Sequence, residues 1–532
     1  MQTAIHRFFI LALLTGFALS VTAQNQPQRT GSIAPPPRFT APDRANKLAA
    51  AFPEIDKMMR EFSARNNVPG LAYGIIVDGR LAHMGTLGIR DVDKSALVDA
   101  NTVFRIASMT KSFITAAILQ LRDAGRLALD DPAARYVPEL KNLHLPTTDS
   151  RPLTIRDLLS HSAGFPEDNP WGDQQLAATD VQFSAMLRRG LPFSNTPGVA
   201  YEYSNLGFAI LGRIVTNVAG IPYERYVTER ILKPLEMTAT RFEATAVPTA
   251  RLAHVYRRQD DRWIEESPLP HGAFGAMGGI LTPVSDLSKW VAFMLDAWPP
   301  RDGVDNGPLK RASRREMQQV ARFIGGTAIH GINNGLTLSA GGYGYGLVAR
   351  QTCQFQLTVS HTGGLPGFGS QMIWLPDYGV GIVALGNLTY TRWSGVGDEA
   401  FQALARTGVL VPQKTQPAPV LLERQAQVTR LINAWDGDLA DSLAAMNLYL
   451  DEAKPRRRAT IERLVAQAGG SCRPEGEILA QTALRGAWRL RCASGDLRVR
   501  ITLAPTKPAT VQFLEVVPMR SEDNLTPPAA CR

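Results

Sequence analysis

The chain has 532 residues, enough for more than one folded unit and a large core. Its formal net charge of +9 is small for that length, and acidic and basic residues are interspersed, which argues against a nucleic-acid partner. Eight scattered histidines and four cysteines form no CxxC or HExxH spacing, so neither a metal site nor a cofactor is expected.

At the N-terminus, His6 and Arg7 precede an apolar stretch over residues 8–21, followed by the small residues of Val21-Thr22-Ala23. That order predicts a signal peptide over residues 1–23 and export, with a bacterial periplasm as the expected location; an uncleaved anchor is the alternative. The stretch is shorter than the ~20 residues of a spanning helix, and no later run is longer, so no membrane span is expected after cleavage. Residues 24–44, with Pro35-Pro36-Pro37, read as an extended linker.

A long folded unit over residues 45–408 follows. Leu48, Phe52, Ile55, Met58 and Met59 predict a helix over about residues 45–66. Apolar runs at 71–77 and 80–87 flank Asp78-Gly79 and predict a hairpin. Then comes FRIASMTKSFITAA, where Ser108 stands three residues before Lys111, a spacing that occurs nowhere else in the chain. On a helix these positions share a face, so hydroxyl and amine can meet. A serine hydroxyl needs a base to become a nucleophile, and a lysine serves if its surroundings lower its pKa.

A largely helical insertion is expected up to about residue 296, and it contains Tyr203-Ser204-Asn205, the only Tyr-x-Asn. The Tyr203 hydroxyl could relay a proton between Ser108, Lys111 and a leaving group, with the Lys111 charge favouring its phenolate. Segments 345–349, 356–360, 371–374 and 380–385 alternate apolar runs with glycine turns, as a returning antiparallel sheet does. Among them lies His361-Thr362-Gly363-Gly364, whose glycines would let a substrate approach a strand edge closely.

Prolines 412, 417 and 419 mark residues 409–420 as a linker, and residues 421–532 read as a small α+β accessory domain without a chemical motif. Its helices are expected over 421–435 and 460–468, and its strands near 488–492, 497–503 and 510–517. Cys472 and Cys492 flank apparent neighbouring strands, which favours their disulfide, although four cysteines allow three pairings. The basic run from Lys454 to Arg458 reads as a solvated loop or helix start.

Ser-x-x-Lys, Tyr-x-Asn and His-Thr-Gly, in this order, resemble the serine β-lactamase and penicillin-binding-protein superfamily. The class C β-lactamase-related branch, with its esterases and D-amino-acid peptidases, is the most similar. Asp130-Asp131-Pro132, Tyr136-Val137-Pro138-Glu139, the LLSHSAG run ending at Gly164, and Gly278-Gly279 before Asp286-Leu287 resemble it too. The resemblance covers roughly residues 49–405. It implies an α/β (α+β) β-lactamase-like fold, an antiparallel sheet flanked by helices with a mostly helical subdomain. It also implies that Ser108 is the nucleophile, Lys111 the general base, and Tyr203, not Tyr201, the general acid/base. Asn205 would donate to a substrate carbonyl and to Lys111, and His361, Thr362 and Gly363 would line the substrate cleft. The oxyanion hole would be the backbone N–H groups of Ser108 and Gly364.

One residue departs from the family pattern, since His361 stands where β-lactamases carry a lysine. An imidazole is mostly neutral at pH 7 and offers a substrate carboxylate no lasting charge. This favours an esterase or a D-amino-acid peptidase of carboxypeptidase-like type over a β-lactamase, which ranks second; the substrates are small acyl, peptide or β-lactam compounds. His161 invites a Ser-His-Asp reading, but no G-x-S-x-G elbow accompanies it, and packing beside the site is expected instead. A non-catalytic cell-wall-peptide-binding or scaffold protein is the rival from another class, and the intact Ser108, Lys111, Tyr203 and His361 set argues against it.

Overall fold

The computed structural model describes residues 34–330, 336–393, 395–520 and 525. The expected signal peptide and the first ten residues of the following linker lie outside them. The expected single helix at 45–66 is two, α1 (Arg44–Ala49) and α2 (Phe52–Arg65). Pro53, in the first turn of α2, explains the break, since it has no N–H to continue the preceding helix.

The predicted hairpin forms strands β1 (Gly70–Val77) and β2 (Arg80–Asp91), turning through left-handed Asp78 and Gly79. With β3 (Ala96–Leu97) they make one end of a nine-stranded antiparallel sheet. The rest comes from late in the chain: β4 (Arg322–His330), β5 (Leu336–Tyr343), β6 (Val348–Thr352), β7 (Thr358–Leu365), β8 (Phe368–Leu375) and β9 (Val380–Gly386), in the order β3-β2-β1-β9-β8-β7-β6-β5-β4. The sheet is therefore assembled across the chain, as its sequence pattern suggests.

Both faces of the central strands are covered. Ala72 and Ile76 of β1 join Val383 and Leu385 of β9 in a core with α3 (Thr110–Asp123), α4 (Asn205–Ala219) and α5 (Val284–Leu295). Leu71, Tyr73 and Ile75 face the opposite way, onto α2 and α6 (Val396–Arg406). This period-two division explains why β1 is buried along its whole length. Among the described residues no single helix is long and apolar enough to cross a membrane.

Residues 421–519 have a core of their own, built on Leu421, Leu431, Trp488, Val499 and Ile501. Three helices (Pro419–Asn433, Gly437–Leu443, Lys454–Gln467) pack on a four-stranded antiparallel sheet, β10 (Arg473–Thr482), β11 (Arg485–Arg491), β12 (Asp496–Leu503) and β13 (Val511–Met519). Cys472 and Cys492 are joined in a disulfide. The basic run opens the third of these helices, but Arg457 is buried, donating to Leu514 O at 2.8 Å and pairing with Asp451 at 3.1 Å.

Candidate active site

Ser108 sits in a single 3₁₀ turn, Ala107–Met109, that runs directly into α3. Ala107 is buried and holds φ at +48°, a left-handed conformation that costs a non-glycine residue about 1–3 kcal/mol. Strain of this kind persists only where the surroundings fix it. Here β7 supplies that constraint: a Cβ on Gly363 would lie 2.2 Å from Ile106 O, and Ser370 of β8 donates to the same carbonyl at 2.8 Å. Glycine at 363 lets the strand press against the turn that carries the serine.

The i and i+3 prediction holds in distance. Lys111 Nζ donates to Ser108 Oγ at 2.9 Å, to Asn205 Oδ1 at 2.7 Å and to Met277 O at 2.9 Å, and the lysine is wholly buried. Burial brings its pKa down to about 7, against the opposing pull of Asp173 and Asp168. The expected direction of the Asn205 bond is corrected, because an ammonium has no acceptor and the amide oxygen must receive. The Asn205 amide nitrogen instead donates to Asn169 Oδ1 at 2.6 Å.

Asn205 is held by its own helix start. Asp168 accepts from the backbone N–H groups of Asn205 at 2.7 Å and Leu206 at 2.8 Å and from the Ser204 hydroxyl at 3.1 Å, capping α4. Tyr203 directly precedes that cap, with Lys111 Nζ 4.9 Å from its ring centre. The expectation that Lys111 favours its phenolate is overturned. Burial pushes the phenol well above its ordinary range, and the Ser108 hydrogen bond only partly offsets this.

His161 packs beside the site, as expected. Its ring lies 4.2 Å from that of Tyr203 and 4.5 Å from that of Tyr343, and its Nδ1 accepts from Ser204 N at 3.1 Å. The proton is therefore on Nε2, which has no nitrogen or oxygen partner. His161 holds φ at +52° and, buried beside Lys111, has its pKa lowered well below the usual value.

His361 and Thr362 stand on a free strand edge, because β6 pairs with β7 only over Thr358, Val359 and Ser360 while β8 pairs along to Leu365. His361 Nδ1 lies 2.6 Å from Thr362 O and so carries the proton, and Tyr343 then donates to Nε2 at 2.9 Å. Burial, then the Lys111 charge, lowers this imidazole to about 3. His361 is thus locked neutral. Tyr343, Met277, Asp168 and Asp173 were not visible as site residues in the sequence, since nothing in their local spacing links them to Ser108. Among the described residues no cluster of side chains suited to a metal ion occurs.

A buried serine–lysine pair, a tyrosine and an asparagine at a helix start, and a free strand edge thus meet around Ser108. The β-lactamase family model matches residues 55–407, and the chain belongs to that family. Protein flp of Staphylococcus aureus strain N315 is 30% identical over 339 residues, 63% of this chain and 63% of that protein. Beta-lactamase-like protein 2 of Dictyostelium discoideum is 27% identical over 305 residues, 56% of this chain and 54% of its own length. The chain thus spans less than two thirds of these relatives. Among solved structures, the octameric penicillin-binding protein homologue from Pyrococcus abyssi matches with a TM-score of 0.55 and 19% identity, covering 88% of this chain and 98% of that one. A class C β-lactamase matches at 0.53 and 19% identity, covering 69% and 98%. At such identities the likeness is one of fold.

Proposed function

We propose that this protein is an exported serine hydrolase that cleaves ester or amide bonds of small acyl or D-amino-acid-containing substrates through a Ser108 acyl-enzyme. The observation that carries the reading is the 2.9 Å bond between Ser108 Oγ and a wholly buried Lys111 whose pKa lies near 7. A neutral amine has two N–H groups and one lone pair. With Asn205 Oδ1 and Met277 O taking the two donors, the lone pair is left for the Ser108 proton.

Ser108 Oγ then bonds to the substrate carbonyl carbon as Lys111 takes that proton. The oxyanion is placed on the N–H groups of Ser108 and Gly364, where one donor is typically worth ~3 kcal/mol. Tyr203, held protonated by burial, gives its proton to the leaving group as the scissile bond breaks, and the Lys111 ammonium restores it. Water releases the acyl group by the reverse path. The neutral His361 supports ranking ester or peptidase action ahead of β-lactam turnover, because no charge at that position meets a substrate carboxylate.

Hydrolysis of p-nitrophenyl acetate, a D-alanine p-nitroanilide and benzylpenicillin by the purified full chain tests this order. Turnover of either of the first two, lost in Ser108→Ala, is expected, with penicillin slow or retained as a stable adduct. Penicillin turning over fastest would put β-lactamase first, and no Ser108-dependent turnover of any of the three would favour the binding or scaffold protein.

A further inference from the structure

Tyr390 follows β9 at the cleft end of the sheet. Its ring packs on Gly364, where a Cβ would meet Tyr390 Cδ1 at 2.8 Å. Its hydroxyl reaches the helical side of the cleft and donates to Asp173 Oδ2 at 2.7 Å. Asp173 is 1% exposed and lies in the short helix Trp171–Gln174, whose Gly172 abuts Asn205, with a Cβ there falling 2.8 Å from Asn205 Cβ. The Tyr390–Asp173 bond therefore spans from the wall carrying Gly364 to the wall carrying Asn205, the two residues between which the acyl part of a substrate would lie.

Two further facts separate this contact from ordinary packing. Tyr390 holds φ at +49°, a conformation that bulky side chains avoid, and strain of this kind collects at ligand clamps. Tyr390 is also 40% exposed although its ring is held at both ends. A strained aromatic residue, anchored twice and still open on one face, forms part of a cleft wall.

We propose that Tyr390 and Asp173 form a clasp across the acyl end of the cleft that limits the length of the acyl group delivered to Ser108. The inference rests on the hydrolase reading above. A short acyl group fits between Gly364 and Asn205 with the clasp closed. A long one must displace the Tyr390 ring and leave the buried Asp173 carboxylate without its donor, which is costly. Tyr390 meets the substrate, and Asp173 is a positioning residue that acts through it.

The test uses the full chain and its Tyr390→Ala, Tyr390→Phe and Asp173→Asn variants with p-nitrophenyl acetate, butyrate and octanoate, active sites being counted by fluorophosphonate titration. The unaltered protein is expected to favour acetate over octanoate. Tyr390→Ala should raise the octanoate-to-acetate ratio of kcat/KM on the order of tenfold, in line with what a single methylene is worth in a pocket. Tyr390→Phe and Asp173→Asn, which loosen the clasp and keep a ring, should move the ratio the same way by less, through KM. An unchanged ratio in Tyr390→Ala, or an unaltered protein indifferent to chain length, overturns the clasp. An unaltered protein that takes up no fluorophosphonate fails at the hydrolase reading instead, and removes the clasp's role with it.

Discussion

Lys111 illustrates how burial, more than identity, sets a residue's chemistry. Its three polar contacts match an ammonium, yet its pKa near 7 makes the free amine accessible at neutral pH. A base works when unprotonated, so kcat/KM for a neutral ester should rise about tenfold per pH unit below 7 and level off above it. The two nearby histidines do not confuse this limb, because both have pKa values lowered far beneath it. A profile over pH 5–9 that is flat through 7 would contradict the assignment of Lys111 as base. Replacing His361 by lysine adds a cation beside Lys111 and should move the limb down by about one pH unit, while improving KM for acyl groups that carry a carboxylate. An unmoved limb would mean that position 361 does not feel Lys111.

At the scale of elements, much of this site rests on the start of α4. Asp168 satisfies two N–H groups there and orients the Ser204 hydroxyl, so Asp168→Ala should cost about 1–2 kcal/mol in urea unfolding and slow fluorophosphonate labelling as Tyr203 and Asn205 lose their seat. Asp168→Asn keeps one acceptor and should recover part of both; a neutral Asp168→Ala would show that the loop, not its carboxylate, sets the helix start. The three motifs were legible in the sequence because each is local, and Ser108 and Lys111 meet by helical periodicity alone. Asp168 and Tyr343 were not, since they join the site only through tertiary packing. The hairpin β4–β5 went unread because Gly325, Gly326, Gly341 and Gly342 interrupt the alternation that marks a strand, and β10 because of Pro474 and Gly476.

For the whole molecule, two bodies with separate cores share one chain. The segment between them lies along the first, where Lys414 pairs with Arg38 and Gln413 donates to Asp377 O at 2.7 Å. It meets the second through the bond from Ala418 N to Ala483 O and an ion pair between Lys414 and Glu477. Two separate cores predict two calorimetric transitions. The Cys472–Cys492 disulfide, with a sequence separation of 20, stabilises only the second body, so the Cys472→Ser/Cys492→Ser variant should lower that transition by about 3 kcal/mol and leave the first in place. A single transition, or a shift in both, would show that the two bodies unfold together.

The account as a whole stands on Ser108 as the nucleophile. Intact mass after exposure to a fluorophosphonate, for the full chain and for Ser108→Ala, tests it most directly. One adduct per chain on the unaltered protein and none on the variant is the predicted result. An adduct that survives loss of Ser108, or none on the folded unaltered chain, would contradict it.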